Sequence, residues 1–195
     1  LLLIMGLFLT SCNSNKSWTC DGDCENGKGE KVWRDGGVER GTWSSGQLHG
    51  DGFQSFGTKS EFSGDHYEGA FINGLYFGQG TYYDLSEDSK YVGQWVFGKP
   101  EGKGRGTFGS KSKYPNRYYD GEWKDGKRHG HGIKFWGEAG EHTNDRYEGE
   151  WKNDDMSGLG RYDWANGNYY EGTWLNGNQH GEGKFVLENG DVFEG

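Results

Sequence analysis

Rings and glycines alternate along most of this chain, and apolar aliphatic residues are scarce. In Tyr119–Trp123 and Tyr170–Trp174, aromatic residues occupy the ends and glycine the middle of a five-residue segment. A period of two is typical of a β-strand with one buried face. Asn73-Gly74, Asp125-Gly126 and Asn176-Gly177 stand between pairs of such segments, which is the strongest short-range signal of a two-residue hairpin turn. The pattern therefore predicts β-hairpins.

The hairpin pattern recurs as one template. An aromatic residue, a variable residue, glycine, another variable residue and a second aromatic residue precede a turn glycine and a Gly-x-Gly pair. Copies start at residues 16, 39, 67, 91, 119, 147, 170 and 193, so the basic period is 23 with insertions. Six copies are complete, the first is degenerate and the last breaks off at Gly195. Because a lone hairpin is marginal in water, the repeats must stack on one another. The predicted fold is all-β, an elongated curved antiparallel sheet or solenoid of stacked hairpins.

Turn placement also predicts which residues face each other within a repeat. With Asp125-Gly126 at the turn centre, the bulky rings lie over glycines, which compensates for the poor strand propensity of glycine. The predicted cross-strand pairs are Trp123 with Arg128, Gly121 with Gly130 and Tyr119 with Gly132. Longer intervals follow three of the repeats, and they predict loops that include residues 57–60, 109–115 and 137–141. Such insertions are where partner contacts are expected.

These repeated positions resemble the MORN (membrane occupation and recognition nexus) repeat family from about Lys16 to the end of the chain. Three positions depart from the pattern: Glu39 replaces the tyrosine, Phe71 the tryptophan and Asp154 the turn glycine. The resemblance implies a non-catalytic scaffold that binds a protein partner or self-associates near a membrane, with contact to phospholipids as a further property. The candidate binding residues are the ring pairs of three repeats: Tyr119, Trp123, Tyr147, Trp151, Tyr170 and Trp174.

Two alternatives remain open at the level of sequence. Short aromatic hairpins also occur in choline-binding repeats, where rings form cages for a quaternary ammonium group. Tyr82-Tyr83, Tyr118-Tyr119 and Tyr169-Tyr170 are the adjacent rings that favour such a small-ligand array. The chain is alternatively the regulatory part of a larger, truncated enzyme.

Composition and charge narrow the function further. Glycine accounts for 38 of 195 residues, but an aromatic content of 16% argues against disorder. The net charge of −9 argues against a nucleic-acid-binding protein. Residues 99–134 nevertheless carry ten basic and four acidic residues, which suits an anionic lipid or an acidic partner. The candidate basic patch comprises Lys111, Lys113, Lys124, Lys127 and Arg128.

The N-terminal residues read as a targeting segment. Residues 1–9 form an apolar run too short to span a bilayer, and small residues then lead into Cys12. This order resembles the lipobox of bacterial lipoproteins, which implies a signal peptide over 1–11 that lacks its charged start, acyl chains on Cys12 and a tether over 12–19. The repeat array then covers 20–195. The expected location is the cell envelope, on the outer membrane by preference because Asn13 is not aspartate.

The sequence offers little chemistry for catalysis or metal binding. Cys20 and Cys24 form an even pair that suits a small disulfide loop in an oxidising compartment, and two cysteines are too few for structural zinc. The neighbouring acids lack the glycine and glutamate of a calcium loop. No nucleophile or phosphate-loop motif is present, so we expect no cofactor, no metal and no enzymatic activity.

Overall fold

The computed structural model describes residues 17–195, and every regular element in that range is a β-strand. The bounds are β1 (Trp18–Gly22), β2 (Lys28–Trp33), β3 (Val38–Ser44), β4 (Gln47–Ser55), β5 (His66–Ile72), β6 (Leu75–Asp84), β7 (Ser89–Val96), β8 (Lys99–Thr107), β9 (Tyr118–Lys124), β10 (Lys127–Phe135), β11 (Arg146–Lys152), β12 (Asp155–Asp163), β13 (Tyr169–Leu175), β14 (Asn178–Val186) and β15 (Val192–Glu194). The strands fall into two compact units: unit 1 ends at Pro100 and unit 2 begins at Glu101. The predicted signal peptide and Cys12 lie outside the described residues. Within the described range, no helix has the length and apolar character needed to cross a membrane.

Strands pair antiparallel and in chain order inside each unit. In unit 1 this order runs from β1 to β7, and in unit 2 it runs from β8 to β15. Each strand thus pairs with its neighbours in sequence, as stacked hairpins require. The predicted all-β class is confirmed.

The hairpin turns lie at the predicted Asx-Gly pairs. Asp125 and Gly126 have φ angles of 51° and 77°, and Asn176 and Gly177 have 50° and 81°. Positive φ at both central residues defines the type I′ turn, whose twist matches that of the flanking strands. The Asx-Gly pairs therefore locate these turns correctly.

The predicted register of β9 and β10 is correct only beside the turn. The observed pairs are Trp123 with Arg128, Gly121 with Gly132 and Tyr119 with Lys134. The last two differ from the prediction by two residues, because a β-bulge between His129 and Gly132 leaves residues 130 and 131 without partners on β9. Gly130 takes a φ of 56° in this bulge, a left-handed conformation that glycine adopts without steric cost.

The second glycine of each Gly-x-Gly pair has a different role from the first. A β-carbon on Gly132 would overlap the hydroxyl of Tyr119, and one on Gly160 would overlap that of Tyr147. The rings do lie over bare backbone, so this part of the prediction is confirmed. One glycine makes the bulge and the next makes room for a ring.

The core of unit 2 is a ladder of rings in edge-to-face contact. The Tyr147 centroid lies 5.2 Å from that of Trp151 in the same hairpin and 5.4 Å from that of Trp174 in the next. The Trp151 indole donates a hydrogen bond to the Gly132 carbonyl, and the Tyr147 hydroxyl donates to the Glu150 carbonyl. Buried tyrosine and tryptophan need such acceptors for their polar atoms. The ladder therefore stacks each hairpin on its predecessor.

Three ten-residue loops correspond to the predicted insertions. They are the β4–β5 loop (56–65) in unit 1 and the β8–β9 loop (108–117) and β10–β11 loop (136–145) in unit 2. Each is closed by a backbone hydrogen bond from its first residue to its last, of 3.0, 2.9 and 3.0 Å respectively. The three loops thus share one closure.

Candidate functional site

Unit 2 contains an open groove of about 430 Å³ lined mainly by rings. The rings are Trp136, Tyr162, Trp164 and Trp174. His142, Met156 and residues 177–179 complete its walls. The lining of the groove is therefore about half apolar, from the rings, and half polar.

Tyr162 lies at the centre of the groove. Its ring centroid is 5.1 Å from that of Trp136, 4.7 Å from that of Trp164 and 5.9 Å from that of Trp174. Trp136, Tyr162 and Trp174 are buried and form the floor, whereas Trp164 is partly exposed. Ring faces thus remain available to a ligand at the wall more than at the floor.

Local structure explains how these rings come together. Trp136 opens the β10–β11 loop, and Trp164 follows directly on β12 in a tight turn closed by its hydrogen bond to the Asn168 carbonyl. Met156 stands beside the β11–β12 turn, and its carbonyl accepts a hydrogen bond from Gly177 of the next turn. The groove therefore lies where a loop and successive turns of neighbouring hairpins meet.

A buried carboxylate holds this arrangement in place. Asp145 accepts hydrogen bonds from the Tyr162 hydroxyl at 2.6 Å and from the Ala165 amide at 2.9 Å. His142 Nδ1 lies 3.1 Å from the Tyr162 oxygen and 3.3 Å from an Asp145 oxygen. Burial, followed by the hydrogen bond to Asp145, raises the pKa of Tyr162 well above its usual range. The hydroxyl therefore remains a proton donor to Asp145, and the cluster positions the loop.

The rim of the groove supplies exposed polar groups. The His142 side chain is 53% exposed, and the amides of Asn178 and Gln179 are also exposed. Such groups can donate to or accept from the backbone of a bound chain. The arrangement suits binding, and the described residues contain no group of three or more His, Cys, Asp or Glu side chains placed to hold a metal ion.

The six rings selected from the sequence lie in the core ladder. Tyr119, Tyr147, Trp151, Tyr170 and Trp174 are each at most 6% exposed, and Trp123 is partly buried. Of these, Trp174 alone also lines the groove. Their burial makes them packing residues, a role that Trp136 and Tyr162 share, and Trp164 is the groove ring with the most exposed surface.

The five residues of the candidate basic patch divide into two groups. Lys111, Lys113, Lys124 and Lys127 are exposed. Arg128 is only 20% exposed, and its Nε donates to Asp154 at 3.0 Å. Asp154 replaces the usual turn glycine with a φ of 79°, so this departure from the repeat provides a carboxylate for Arg128. The exposed patch therefore contains lysines only.

Cys20 and Cys24 are joined by a disulfide in unit 1, with their Cα atoms 6.3 Å apart. The bridge closes the connection between β1 and β2. It lies in the degenerate first repeat.

Sequence reasoning missed Trp136, Asp145, Tyr162 and Trp164. A signal for two of them exists, because Asp145 stands two residues before the repeat tyrosine Tyr147 and Tyr162 lies directly across from that tyrosine. Unit 1 has the same arrangement in Asp65 and Tyr82, with an oxygen-to-oxygen distance of 2.7 Å. Recurrence of an aspartate and a tyrosine at fixed repeat positions would have identified them.

Comparison with known families identifies the repeats. The family model for the MORN repeat matches seven segments that together cover more than half of the chain: 25–38, 40–60, 67–84, 91–112, 119–138, 147–169 and 170–192. The first segment corresponds to the degenerate copy. No curated protein matches this chain significantly.

Solved structures with a similar fold include the TCP domain of SAS-4 from Drosophila melanogaster, in complex with a proline-rich motif of Ana2. It is 12% identical, with 97% of each chain covered and a TM-score of 0.50. A crystal structure of the TCP10c domain of Drosophila melanogaster Sas-4 is 11% identical, covers 91% of this chain and 97% of that chain, and has a TM-score of 0.46. At these identities the similarity concerns the fold alone.

Proposed function

This chain belongs to the MORN repeat family, and we propose that it is a non-catalytic interaction module whose groove in unit 2 binds an extended, proline-containing segment of a partner protein. The observation that carries the proposal is the open groove lined by Tyr162 and three tryptophans, of which Trp164 leaves the most ring surface exposed. The MORN repeats support the role of a non-catalytic interaction module.

Physical arguments favour a proline-containing segment over other ligands. Polyproline II helices pack their rings against aromatic grooves, and they lose little conformational entropy on binding because they are already extended. Their unpaired backbone carbonyls need donors, which Asn178, Gln179 and His142 can provide at the rim. Both properties of the groove therefore match this class of ligand.

The TCP domain of SAS-4 supports the proposal because that domain is known in complex with a proline-rich motif. Its similarity to this chain is one of fold, so the binding mode itself belongs to the proposal.

The test replaces Trp164 with alanine. We expect a fluorescein-labelled 12-residue peptide with a Pro-x-x-Pro core to bind Trp164→Ala at least about tenfold more weakly than the native chain, measured by fluorescence anisotropy, because a wall of ring surface is lost. Tyr169→Ala is the matched control, since the Tyr169 ring contacts Arg161 and adjoins core residue Tyr170, so it lies on the other face of β13. Absence of peptide binding by the native chain, or equal losses in both variants, would contradict the proposal.

We also propose that the module is tethered to a bacterial membrane through acyl chains on Cys12. The order of apolar run, small residues and cysteine supports this, and at least two acyl chains anchor a protein stably. Mass spectrometry of the mature N-terminus tests it. An unmodified Cys12, or an uncleaved precursor, would rule out the tether and with it the outer-membrane location.

Direct contact with phospholipid is a second candidate, favoured by the exposed lysines of unit 2. We expect vesicles containing phosphatidylserine to bind the chain without acyl groups. Substitution of Lys111, Lys113, Lys124 and Lys127 by glutamate should abolish this binding. Sedimentation with vesicles would measure this. Unchanged sedimentation of the lysine variant would exclude the lysines as a lipid surface.

A further inference from the structure

The β8–β9 loop carries cations where the β10–β11 loop carries a hydrogen-bonded pair. Arg117 stands two residues before a repeat tyrosine, in the position of Asp145. Lys134 lies directly across from that tyrosine, in the position of Tyr162. The repeat tyrosines that define these positions are Tyr119 and Tyr147. A carboxylate and a hydroxyl are thus replaced by a guanidinium and an ammonium group.

A side-chain oxygen at this position accepts a backbone hydrogen bond in three other repeats. Asp65 in unit 1 accepts from the Leu85 amide at 2.9 Å, as Asp145 does from Ala165 in unit 2. Asn168 accepts from the Glu188 amide at 2.9 Å. Arg117 differs from these three residues, because a guanidinium has no acceptor atom.

The two cations lie among rings, and within residues 17–195 neither of them forms an ion pair with a carboxylate. Arg117 Nε is buried and has no hydrogen-bond partner, and its guanidinium carbon lies 4.1 Å from the Tyr114 ring centroid. Lys134 Nζ lies 4.1 Å from the Trp136 ring centroid and 6.0 Å from that of Trp151. An unpaired donor in such a setting is costly, since each charge has given up part of its water.

The neighbouring charges add to this deficit of negative charge. Arg128 is close enough to lower the pKa of both Arg117 and Lys134, although burial is the larger cause for each. Together these effects bring the pKa of Lys134 to about 7. Asp154 is the one group that acts in the opposite direction on Lys134, and it is already engaged by Arg128. The cluster therefore contains three basic groups, Arg117, Arg128 and Lys134, and one carboxylate, Asp154.

We propose that Arg117 and Lys134 form the binding site for a carboxylate of the partner segment, from an aspartate or glutamate beside its proline core. The inference rests on the proposed function, since that segment is the one in the groove. Trp136 connects the two sites, because it lines the groove and contacts Lys134. In the other two loops the chain supplies its own carboxylate at this place, and in this loop the partner supplies it.

Geometry limits where the acidic residue lies in the segment. A polyproline II helix advances about 3.1 Å per residue, so an acid one to three residues from the proline over Trp136 reaches Lys134. A carboxylate between a guanidinium and an ammonium group makes charge-assisted hydrogen bonds, and the guanidinium can bind it through two parallel bonds. Burial of Arg117 Nε disfavours a membrane surface as the source of the anion, because a lipid headgroup on a bilayer requires exposed cations.

The experiment uses two versions of the Pro-x-x-Pro peptide, one neutral and one with a glutamate two residues from the core. We expect the acidic peptide to bind the native chain about tenfold more tightly by fluorescence anisotropy. The double variant R117D/K134Y, which restores the aspartate and tyrosine of the other loops, should bind both peptides with the affinity of the native chain for the neutral one. Should this variant fold poorly, the single changes Arg117→Gln and Lys134→Met serve in its place.

The outcomes separate this inference from the proposed function. Equal affinities of the two peptides for the native chain would overturn the inference and leave the groove intact. Failure of either peptide to bind would overturn the proposed function. In that case thermal unfolding with and without N-acetylaspartate amide still tests the carboxylate site. This compound should raise the midpoint temperature of the native chain and leave that of R117D/K134Y unchanged. Equal midpoint shifts in the native chain and the double variant would overturn the carboxylate site. A midpoint shift of the native chain with phosphatidylserine vesicles but not with N-acetylaspartate amide would also overturn it.

Discussion

The β10–β11 and β8–β9 loops of unit 2 have the same length and closure but opposite charge. Trp136 donates to the Asp145 carbonyl at 3.0 Å in one, and Phe108 donates to the Arg117 carbonyl at 2.9 Å in the other. The backbone closure therefore does not depend on the last side chain. The side chain of the last loop residue can therefore differ between loops. Asp145 organises the groove in the β10–β11 loop, whereas Arg117 leaves a site for an anion in the β8–β9 loop.

The largest difference between the two loops should appear on truncation of that side chain. Asp145→Ala leaves the Tyr162 hydroxyl and the Ala165 amide without their acceptor, so we expect a loss of about 2–4 kcal/mol in the free energy of unfolding. Arg117→Ala removes an unpaired cation and should cost less than about 1 kcal/mol. Urea denaturation of both variants measures the two effects, and equal losses would show that the loops are held in the same way.

Conversion of the basic loop to the acidic type should stabilise the chain. R117D/K134Y replaces two unpaired cations with an aspartate and a tyrosine that can form the hydrogen bond seen between Asp145 and Tyr162. We expect a gain of about 1–2 kcal/mol in the free energy of unfolding, measured by the same denaturation. The reverse exchange D145R/Y162K is the control, and it should destabilise. A loss of stability in the first variant would mean that the cations are held by contacts within the chain.

Removal of one hydroxyl from the acidic loop should have a smaller effect. Tyr162→Phe keeps the ring of the groove, and Asp145 keeps the Ala165 amide as a donor, so we expect a cost of about 1 kcal/mol. The last repeat already has Phe185 across from its tyrosine, with Asn168 as the loop acceptor. Neutral-peptide binding should be unchanged, because the ring surface remains. If Tyr162→Phe lowered the free energy of unfolding as much as Asp145→Ala, the hydrogen bond from the Tyr162 hydroxyl would account for most of the stabilisation by Asp145.

The strand pattern and turns could be predicted because each depends on local sequence. Asp125-Gly126 fixes a type I′ turn by its own φ angles, and Trp123 beside it pairs as expected. The register beyond Arg128 could not be predicted, because a bulge is signalled only by Gly130, and glycine at that point also fits a regular strand. The predicted register was therefore correct beside the turn and wrong beyond the bulge, where Gly130 adopts a left-handed conformation.

The groove was harder to predict than the fold. Repeated rings such as Tyr147 and Trp151 attract attention in the sequence, but repetition marks the residues that stack hairpins together. The groove depends on Trp136 and Trp164, which lie outside the template in a loop and after a strand. Function in a repeat protein is more often carried by what departs from the repeat, since the repeat itself is used for packing.

The smallest expected difference between the two loops is in how the free energy of unfolding depends on pH. Lys134 has a pKa of about 7 in the folded chain and a higher one, near the ordinary lysine value, when unfolded. Between these values the unfolded chain binds more protons, so the free energy of unfolding should rise with pH from 7 to 9. Because Lys134 is only partly buried, we expect about 1 kcal/mol over this range, measured by urea denaturation, and no such rise in Lys134→Met. Measurement stops at pH 9 because buried tyrosines such as Tyr162 have a raised pKa when folded, which lowers stability above about pH 10.

Bound acidic peptide should hold Lys134 protonated, and its affinity should therefore fall as the pH is raised. A stability that is flat from pH 7 to 9 would mean that Lys134 already has a counter-charge within the chain, and the two loops would then differ in sequence but not in electrostatic balance.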